Sequence, residues 1–428
     1  MEASPRLTLL ARYLFPVKSE PIAEGWLRIE HGKIAALGRG RPPERAVDLG
    51  NVAIVPGFVN AHTHLELGPL PEDRAGGERT EPEDQIAWLR RMIEWRRGST
   101  PEAMRRNAQA NVDASIRLGT TALADITTRG TSWDAIIASP LRGTVYSEVL
   151  GLSRGRGLET TEAAFEWLAK VRPTISETDP RLRAGLSPHA PYSTAGWIYQ
   201  RAAAAHLPLS THLAELPEEV ELLALRDGRL RDFFRELGVW DEEWQPLGDR
   251  AADYIRKGEL RQADWIVAHG NHLEPSDYWQ FRPGGAPSGQ RVAVAYCPRT
   301  HHRFGHATHP YRSMLERDIV VCIGTDSRAT AASLSVLDEL RFLHRIDPDL
   351  RLPLLMAMGT LYGAWALRLD NVCGSLAPGK AADLAVIPLP DRDEADPHRL
   401  IFEHDAPVSS VFIGGELAAR GTSPLPLE

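Results

Sequence analysis

Two histidines two residues apart, His62 and His64, close an apolar run in NAHTHLELG. Residues i and i+2 of a strand share a face, so both imidazoles point to one side and form half of a metal pincer. Nitrogen and oxygen donors recur where other apolar runs end: His189 in SPHAPYST, His212 with Glu215 three residues on in THLAE, His269 in VAHGNHL, and Asp326 in IGTDSRA. Imidazole and carboxylate are ligands of Zn²⁺ or Fe²⁺. Taken singly, each such histidine is more often a satisfied core residue, and each aspartate a helix cap. Repetition at the ends of successive runs reverses that balance and points to a metal site.

Donors so far apart in the chain need elements to aim them. Eight short apolar runs, each ending in polar residues, read as strands: VAIVPGFVNAHTH, TTALADITT, RGTVYSEVLG, RLRAGLSPHAPY, LPLSTHLAE, ADWIVAHGNHL, VAVAYCPRTHH and DIVVCIGTDS. Helical stretches such as TEAAFEWLAKV and SVLDELRFLHRI lie between or after them. Eight β/α units over roughly 300 residues predict an α/β fold of (β/α)8 TIM-barrel type, with reactive groups at the carboxyl ends of the strands. The alternative, a doubly wound open sheet, has no glycine-rich phosphate fingerprint to support it. The connection from the fifth strand to the sixth, around GRLRDFFRELGVWDEEW, runs about 50 residues, and a connection that long is expected to cover the site.

The two ends of the chain read differently. WLRIEHGKIAALG carries a hairpin signal at His31-Gly32, and SSVFIGGELAARG a second at Gly414-Gly415. Half a sheet cannot bury its apolar face alone, so residues 1–56 and 373–428 are expected to join as one small β-sandwich domain beside a barrel of residues 57–372. LTLLARYLFPV is interrupted by Arg12, lacks a small-residue cleavage site after it, and reads as a strand.

Of the 428 residues, 43% are hydrophobic and 25% charged, the balance of an ordinary globular protein. The net charge of −8 argues against a nucleic-acid surface, and no run approaches the roughly 20 apolar residues that span a bilayer. Cys297, Cys322 and Cys373 form no CxxC pair and no disulfide framework, which predicts a reducing compartment, the cytoplasm.

PGFVNAHTHLE, SPHAPYST, THLAE, VAHGNHL, IGTDSRA and GSLAPGKAADLAV, in this order, resemble the amidohydrolase superfamily, and within it the branch of cytosine, guanine and adenosine-analogue deaminases and chlorohydrolases. The resemblance runs over nearly the whole chain. It implies that His62, His64, His212 and Asp326 hold one divalent metal, Zn²⁺ with Fe²⁺ as the alternative. It implies catalysis by Glu215, His269 and Asp326, and substrate contact by His189. The implied reaction is hydrolytic deamination of an amino-substituted N-heterocycle, purine- or aminodeoxyfutalosine-like, with ammonia as leaving group. The alternatives are a chlorohydrolase or amidase with the same machinery, or a non-catalytic binding relative. The expected partners are a small heterocyclic substrate and a second copy of the chain in a homodimer.

Binuclear relatives bridge their metals with a carboxylated lysine at the end of strand four. Of the five lysines only Lys170 and Lys257 fall in the middle region and neither ends a strand, so a mononuclear site is expected. Glu148, at the end of the third strand, and Arg328, two residues after Asp326, are candidate substrate contacts, each with an ion-pair role as the alternative. Asp125 is equally ambiguous, and His272 reads as a supporting residue behind His269. The loop CPRTHHRFGHATHP carries His301, His302, His306 and His309. Many members of the branch have a serine-asparagine pair after the CP dipeptide, where Thr300 and His301 stand here. His301 is therefore a candidate substrate contact, and a second metal on the cluster is the alternative. In EDQIAWLRRM, Ile86 and Ala87 stand where adenosine-analogue deaminases place a glutamate before the tryptophan, which makes an adenosine-type nucleoside less secure as substrate.

Overall fold

His31 and Gly32 take left-handed backbone angles (φ 51° and 74°). A two-residue turn of that hand matches the right-handed twist of the strands it joins. It connects β2 (Ile22–Glu30) to β3 (Lys33–Arg39), which follow β1 (Leu7–Leu14) in an antiparallel meander. The computed structural model describes residues 6–73, 81–175, 181–282 and 289–420; the outermost residues of the two terminal segments, 1–5 and 421–428, lie outside the described residues. The short β4 (Val47–Asp48) and β5 (Val52–Pro56) run parallel to β1.

The chain then passes through the barrel strands. These are β6 (Phe58–Thr63), β7 (Thr120–Thr127), β8 (Arg142–Val149), β9 (Leu182–Pro188), β10 (Leu209–Leu213), β11 (Trp265–His269), β12 (Val292–Tyr296) and β13 (Val320–Ile323). It returns through β14 (Leu384–Pro388), β15 (Ser410–Ile413) and β16 (Glu416–Arg420), the last two joined at Gly414-Gly415, again with positive φ. Strand β14 pairs antiparallel with β5, so one mixed sheet in the order β16-β15-β14-β5-β1-β2-β3 unites the two ends of the chain.

Neighbouring strands from β6 to β13 pair in parallel. The first and last strands meet through a parallel bridge between Thr63 and Asp326, which closes the barrel and excludes the open doubly wound sheet. Strands β6, β7, β10, β11 and β12 are buried along their whole length, as parallel strands covered on both faces must be. The segment VAIVPGFVNAHTH, read from sequence as one strand, is two strands in two sheets. Gly57 stands between them because a Cβ there would lie 2.2 Å from the Thr121 side chain. Cys297, Cys322 and Cys373 are buried free thiols. Among the described residues no helix is long and apolar enough to cross a membrane.

One buried carboxylate joins the two parts. Asp383, immediately before β14, faces Arg142 at the start of β8 (Nε to Oδ2, 2.6 Å), and its Oδ1 accepts the Gly414 N–H at 2.7 Å. Its own carbonyl accepts the N–H of Gly57 at 2.8 Å, at the crossing from one sheet to the other. The Asp383 side chain is wholly buried, and removing one member of a buried pair costs far more than a surface pair contributes. Asp383→Ala is expected to lower unfolding stability by about 3 kcal/mol in chemical denaturation; a loss below about 1 kcal/mol, the worth of an exposed pair, would refute the role assigned to this contact.

Candidate active site

The seam that closes the barrel builds half of the site. The Thr325 and Asp326 N–H groups donate to the carbonyl of His62 at 3.0 and 3.1 Å, and His64 N–H donates to the carbonyl of Asp326 at 3.2 Å. Asn60, in the strand that carries both histidines, donates through Nδ2 to Thr325 Oγ1 (2.8 Å) and accepts from Thr325 N–H (3.2 Å). Asp326 itself sits at φ 57°, a left-handed angle that turns its carboxylate back over the barrel mouth. That angle is unusual for a residue other than glycine and clusters at functional sites. Its Oδ1 lies 3.9 Å from His62 Nε2 and 3.8 Å from His64 Nε2, while Oδ2 accepts from Thr330 Oγ1 at 2.9 Å.

The other half comes from β10 and β11. His212 Nδ1–H donates to the backbone carbonyl of His189 at 2.9 Å. That bond fixes the tautomer and leaves Nε2 with a free lone pair, aimed at His64 Nε2 3.2 Å away. His269, at φ 66°, stands beside them, its ring 5.4 Å from those of both His62 and His212. His309 orients it from behind, donating through Nε2 to its carbonyl at 2.8 Å while accepting the Tyr311 N–H on Nδ1.

Burial keeps these rings neutral. It pushes His212 and His189 down to about 4 and depresses His62, His64 and His269 well below the ordinary value, with neighbouring imidazoles adding to the effect at all but His189, where the Arg96 charge does so. A neutral ring is the form that ligates a metal. Both ring nitrogens of His62 are buried without a hydrogen-bond partner, a costly state unless a cation satisfies one of them. Two sets of three donor atoms lie within 4.8 Å of one another, His62–His64–Asp326 and His62–His212–His269. The donor chemistry and its convergence therefore fit a divalent ion. Among the described residues the histidines of the loop after β12 form no such set. Lys170 lies in a helix and Lys257 just after one, and neither ends a barrel strand.

Glu215 follows β10 after a tight turn with Ala214 at φ 49°. Its carboxylate reaches His269 Nε2 at 3.8 Å and accepts from Tyr192 OH (3.2 Å) and from Gln85 Nε2 (2.5 Å). Burial, then the charges of Asp326 and Glu219, push its pKa up to about 8, against the lowering effect of the two donors. Asp326 is raised by burial to about 6.

A cavity of about 670 Å³ opens over these groups, within the ordinary range of small-ligand sites. His64, His189, His212, Glu215, His269 and Asp326 form its floor. Leu67, Trp88, Leu89, Met92, Leu152, Phe233 and Phe234 form apolar walls, with Arg96, Arg97, Glu148 and Arg156 among them. Phe233 and Phe234 belong to the long β10–β11 connection, which does cover the site.

The structure thus brings together every predicted metal and catalytic residue, and it places His189 on the cavity floor and Glu148 on its wall. His301 and Arg328 are not on that wall. His301 is turned into its own loop, where Nε2 donates to the Ala307 carbonyl at 2.9 Å. The sequence reading did not single out Gln85, Tyr192, Asn60, Thr330 or Glu219, although Gln85, Tyr192 and Asn60 stand inside the quoted motifs. Asp125 accepts the Leu65 N–H at 2.8 Å and so holds the chain just after His64.

Fold and site together define a (β/α)8 barrel hydrolase with a histidine-rich mouth. Residues 53–418 match the amidohydrolase family, and the chain belongs to it. It is 28% identical over 389 residues to the 5-methylthioadenosine/S-adenosylhomocysteine deaminase of Nitratidesulfovibrio vulgaris, covering 86% of this chain and 80% of that one. It is 28% identical over 334 residues to the aminodeoxyfutalosine deaminase of Deinococcus radiodurans, covering 74% and 75%. The aminofutalosine deaminase of Helicobacter pylori in complex with methylthio-coformycin superposes with a TM-score of 0.81 at 22% identity, covering 96% of this chain and 100% of that one. Zinc-bound atrazine chlorohydrolase from Arthrobacter aurescens has the same fold, with a TM-score of 0.76 at 20% identity over 98% and 97% of the two chains.

Glu219 holds the turn that presents Glu215. Fully buried, its two oxygens accept the backbone N–H groups of Ala214 (2.9 Å) and Glu215 (3.0 Å). Glu219→Ala strips both of their acceptor and is expected to cost about 2–4 kcal/mol of stability by denaturant titration, with activity lost in parallel; unchanged stability would refute that role.

Proposed function

We propose that this protein is a metal-dependent aminohydrolase that replaces the amino group of a purine- or aminodeoxyfutalosine-like heterocycle by oxygen and releases ammonia. One observation carries the reading: two sets of donors that share His62, one with His64 and Asp326 and one with His212 and His269, converge at the floor of a large, mostly apolar cavity, with Glu215 3.8 Å from His269. The barrel assigned to residues 57–372 carries all six. The names of the curated relatives support the class of substrate.

His62, His64, His212 and Asp326 would hold one divalent ion, Zn²⁺ in the first instance. Such an ion supplies Lewis acidity and lowers the pKa of water from 15.7 toward about 7. The residues around it do the rest. Asp326 accepts the proton of the attacking water, and His269 holds the attacking oxygen through Nε2. Glu215, starting as the carboxylate, carries that proton to the ring nitrogen and then the remaining proton of the added oxygen to the departing amine, so that water adds to the carbon, the C–N bond breaks and ammonia leaves. The apolar wall excludes bulk water, and the cavity has room for a ring with a substituent as well as for the ring itself. His189, on the floor, and Glu148, on the wall, are positioned to contact that substrate.

Ammonia release from a panel of aminopurines, adenosine analogues, pterins, cytosines and aminodeoxyfutalosine, with metal content measured on the same preparation, tests the reading. Turnover of at least one is expected; chloride release from a chlorotriazine with no ammonia from any member would shift the assignment to a chlorohydrolase. Glu215→Gln is expected to keep its metal while kcat falls about 10²–10⁴-fold, and an unchanged kcat would remove Glu215 from the mechanism. Glu215 must begin as the carboxylate to take up a proton. Burial raises its pKa from 4.5 to about 8, a bound cation opposes that shift, and the carboxylate is lost as pH falls through the resulting value. The acid limb of kcat/KM is therefore expected between 4.5 and 8, and a limb below 4.5 would contradict the environment described here.

A further inference from the structure

Gln85 is the first residue of the helix Gln85–Gly98 and is buried, with 7% of its surface exposed. Its Nε2 donates to Glu215 Oε1 at 2.5 Å, while Tyr192 OH donates to Oε2 at 3.2 Å. Each oxygen of the carboxylate therefore carries one donor, and a proton cannot settle where an N–H or O–H already points. What remains open on Glu215 faces His269, 3.8 Å away, and the cavity. The amide is also held in place from its own side. Asp84, the residue before it, caps the helix by accepting the Ala87 N–H (2.9 Å) and pairs with Arg229 (2.6 Å), which pairs in turn with Glu218 (2.8 Å). Arg229 begins the helix that brings Phe233 and Phe234 over the cavity. The chain from Glu215 through Glu218 and Arg229 to Asp84 and Gln85 thus returns to the Glu215 carboxylate.

We propose that Gln85 is a positioning residue that fixes the Glu215 carboxylate, keeps its proton-carrying lone pair turned toward substrate, and links that orientation to the segment covering the cavity. The inference rests on the proton-transfer role proposed for Glu215. An apolar side chain of similar length at position 85 would leave the carboxylate free to turn on its long stem, so fewer encounters would find it aligned. The loss belongs in kcat and not in KM, because Gln85 is absent from the cavity lining.

Gln85→Met, with Gln85→Leu as a second replacement, tests this. The expected result is a kcat about 10–100-fold lower, the usual cost of losing a partner that orients a catalytic group, with KM changed by less than about 3-fold and metal content and melting temperature unaltered. Because Gln85 acts only through Glu215, adding Gln85→Met to Glu215→Gln should lower the residual turnover no further. A normal kcat in Gln85→Met, an equal loss in both backgrounds, or loss of metal or of the folded state in both replacements would overturn the proposal. If Glu215→Gln is itself fully active, the role of Glu215 fails first; if it is inactive while Gln85→Met turns over normally, only the inference about Gln85 fails.

Discussion

The seam between β6 and the segment after β13 is the constraint on which the site depends. His62 and His64 lie more than 260 residues from Asp326, yet their relative position is set by three backbone hydrogen bonds, from Thr325 and Asp326 to the His62 carbonyl and from His64 to the Asp326 carbonyl. No side-chain flexibility intervenes at that level. The bonds that close the barrel are the bonds that place the donors. Asn60 reinforces the arrangement by joining Thr325 with both ends of its amide. Closure also explains why the site lies where it does, since a parallel barrel leaves only the carboxyl ends of its strands open to substrate.

Neutrality is the second consequence of this placement. Four imidazoles whose neighbouring ring centroids lie 4.9 to 5.4 Å apart, at His62, His64, His212 and His269, cannot all carry protons in a buried space. Desolvation and mutual repulsion act in the same direction and leave nitrogen lone pairs facing inward. Burial acts oppositely on the carboxylates, raising Asp326 and Glu215. A bound cation would relieve both effects, because it is the one kind of group that interacts favourably with the lone pairs and the negative charges together. The same economy limits where else in the molecule a metal fits. His301, His306 and His309 of the loop after β12 are also depressed by burial, but His301 and His309 spend a nitrogen on backbone carbonyls.

Much of this was legible in the sequence because strand ends in a barrel are periodic features with distinctive chemistry. His62, His64, His212, Glu215, His269 and Asp326 all follow apolar runs, and the runs announce the strands. The split of VAIVPGFVNAHTH into β5 and β6 was not legible as such, since continuous apolar character is the same in either sheet; Gly57, squeezed against Thr121, marks the crossing only once the partner strand is known. Gln85 and Glu219 escaped for a different reason. Each is a polar residue at or near a helix start, where such residues are common as surface or capping groups, and only their burial against the 214–215 turn reveals what they do. His301 misled in the opposite sense, because its proximity in sequence to the end of β12 said nothing about the short helix Pro298–Arg303 that carries it away from the cavity.

Part of the backbone strain falls at the candidate site. Ala214, His269 and Asp326 all take left-handed angles, although glycine would adopt them at less cost. Glycine at 269 or 326 would remove a side chain that lines the cavity floor, so those two angles must be borne by the residues that supply it. Ala214 is different: it has no polar side chain, and its angle serves to turn the chain sharply between His212, on the strand, and Glu215, beyond it. The compensation is visible in the surroundings, where Glu219 accepts the Ala214 and Glu215 N–H groups and Asn271 donates to the Glu215 carbonyl at 2.8 Å. Fixed hydrogen bonds beneath each strained turn convert its conformational cost into a defined direction for the side chain above, which is what proton transfer over a short distance requires.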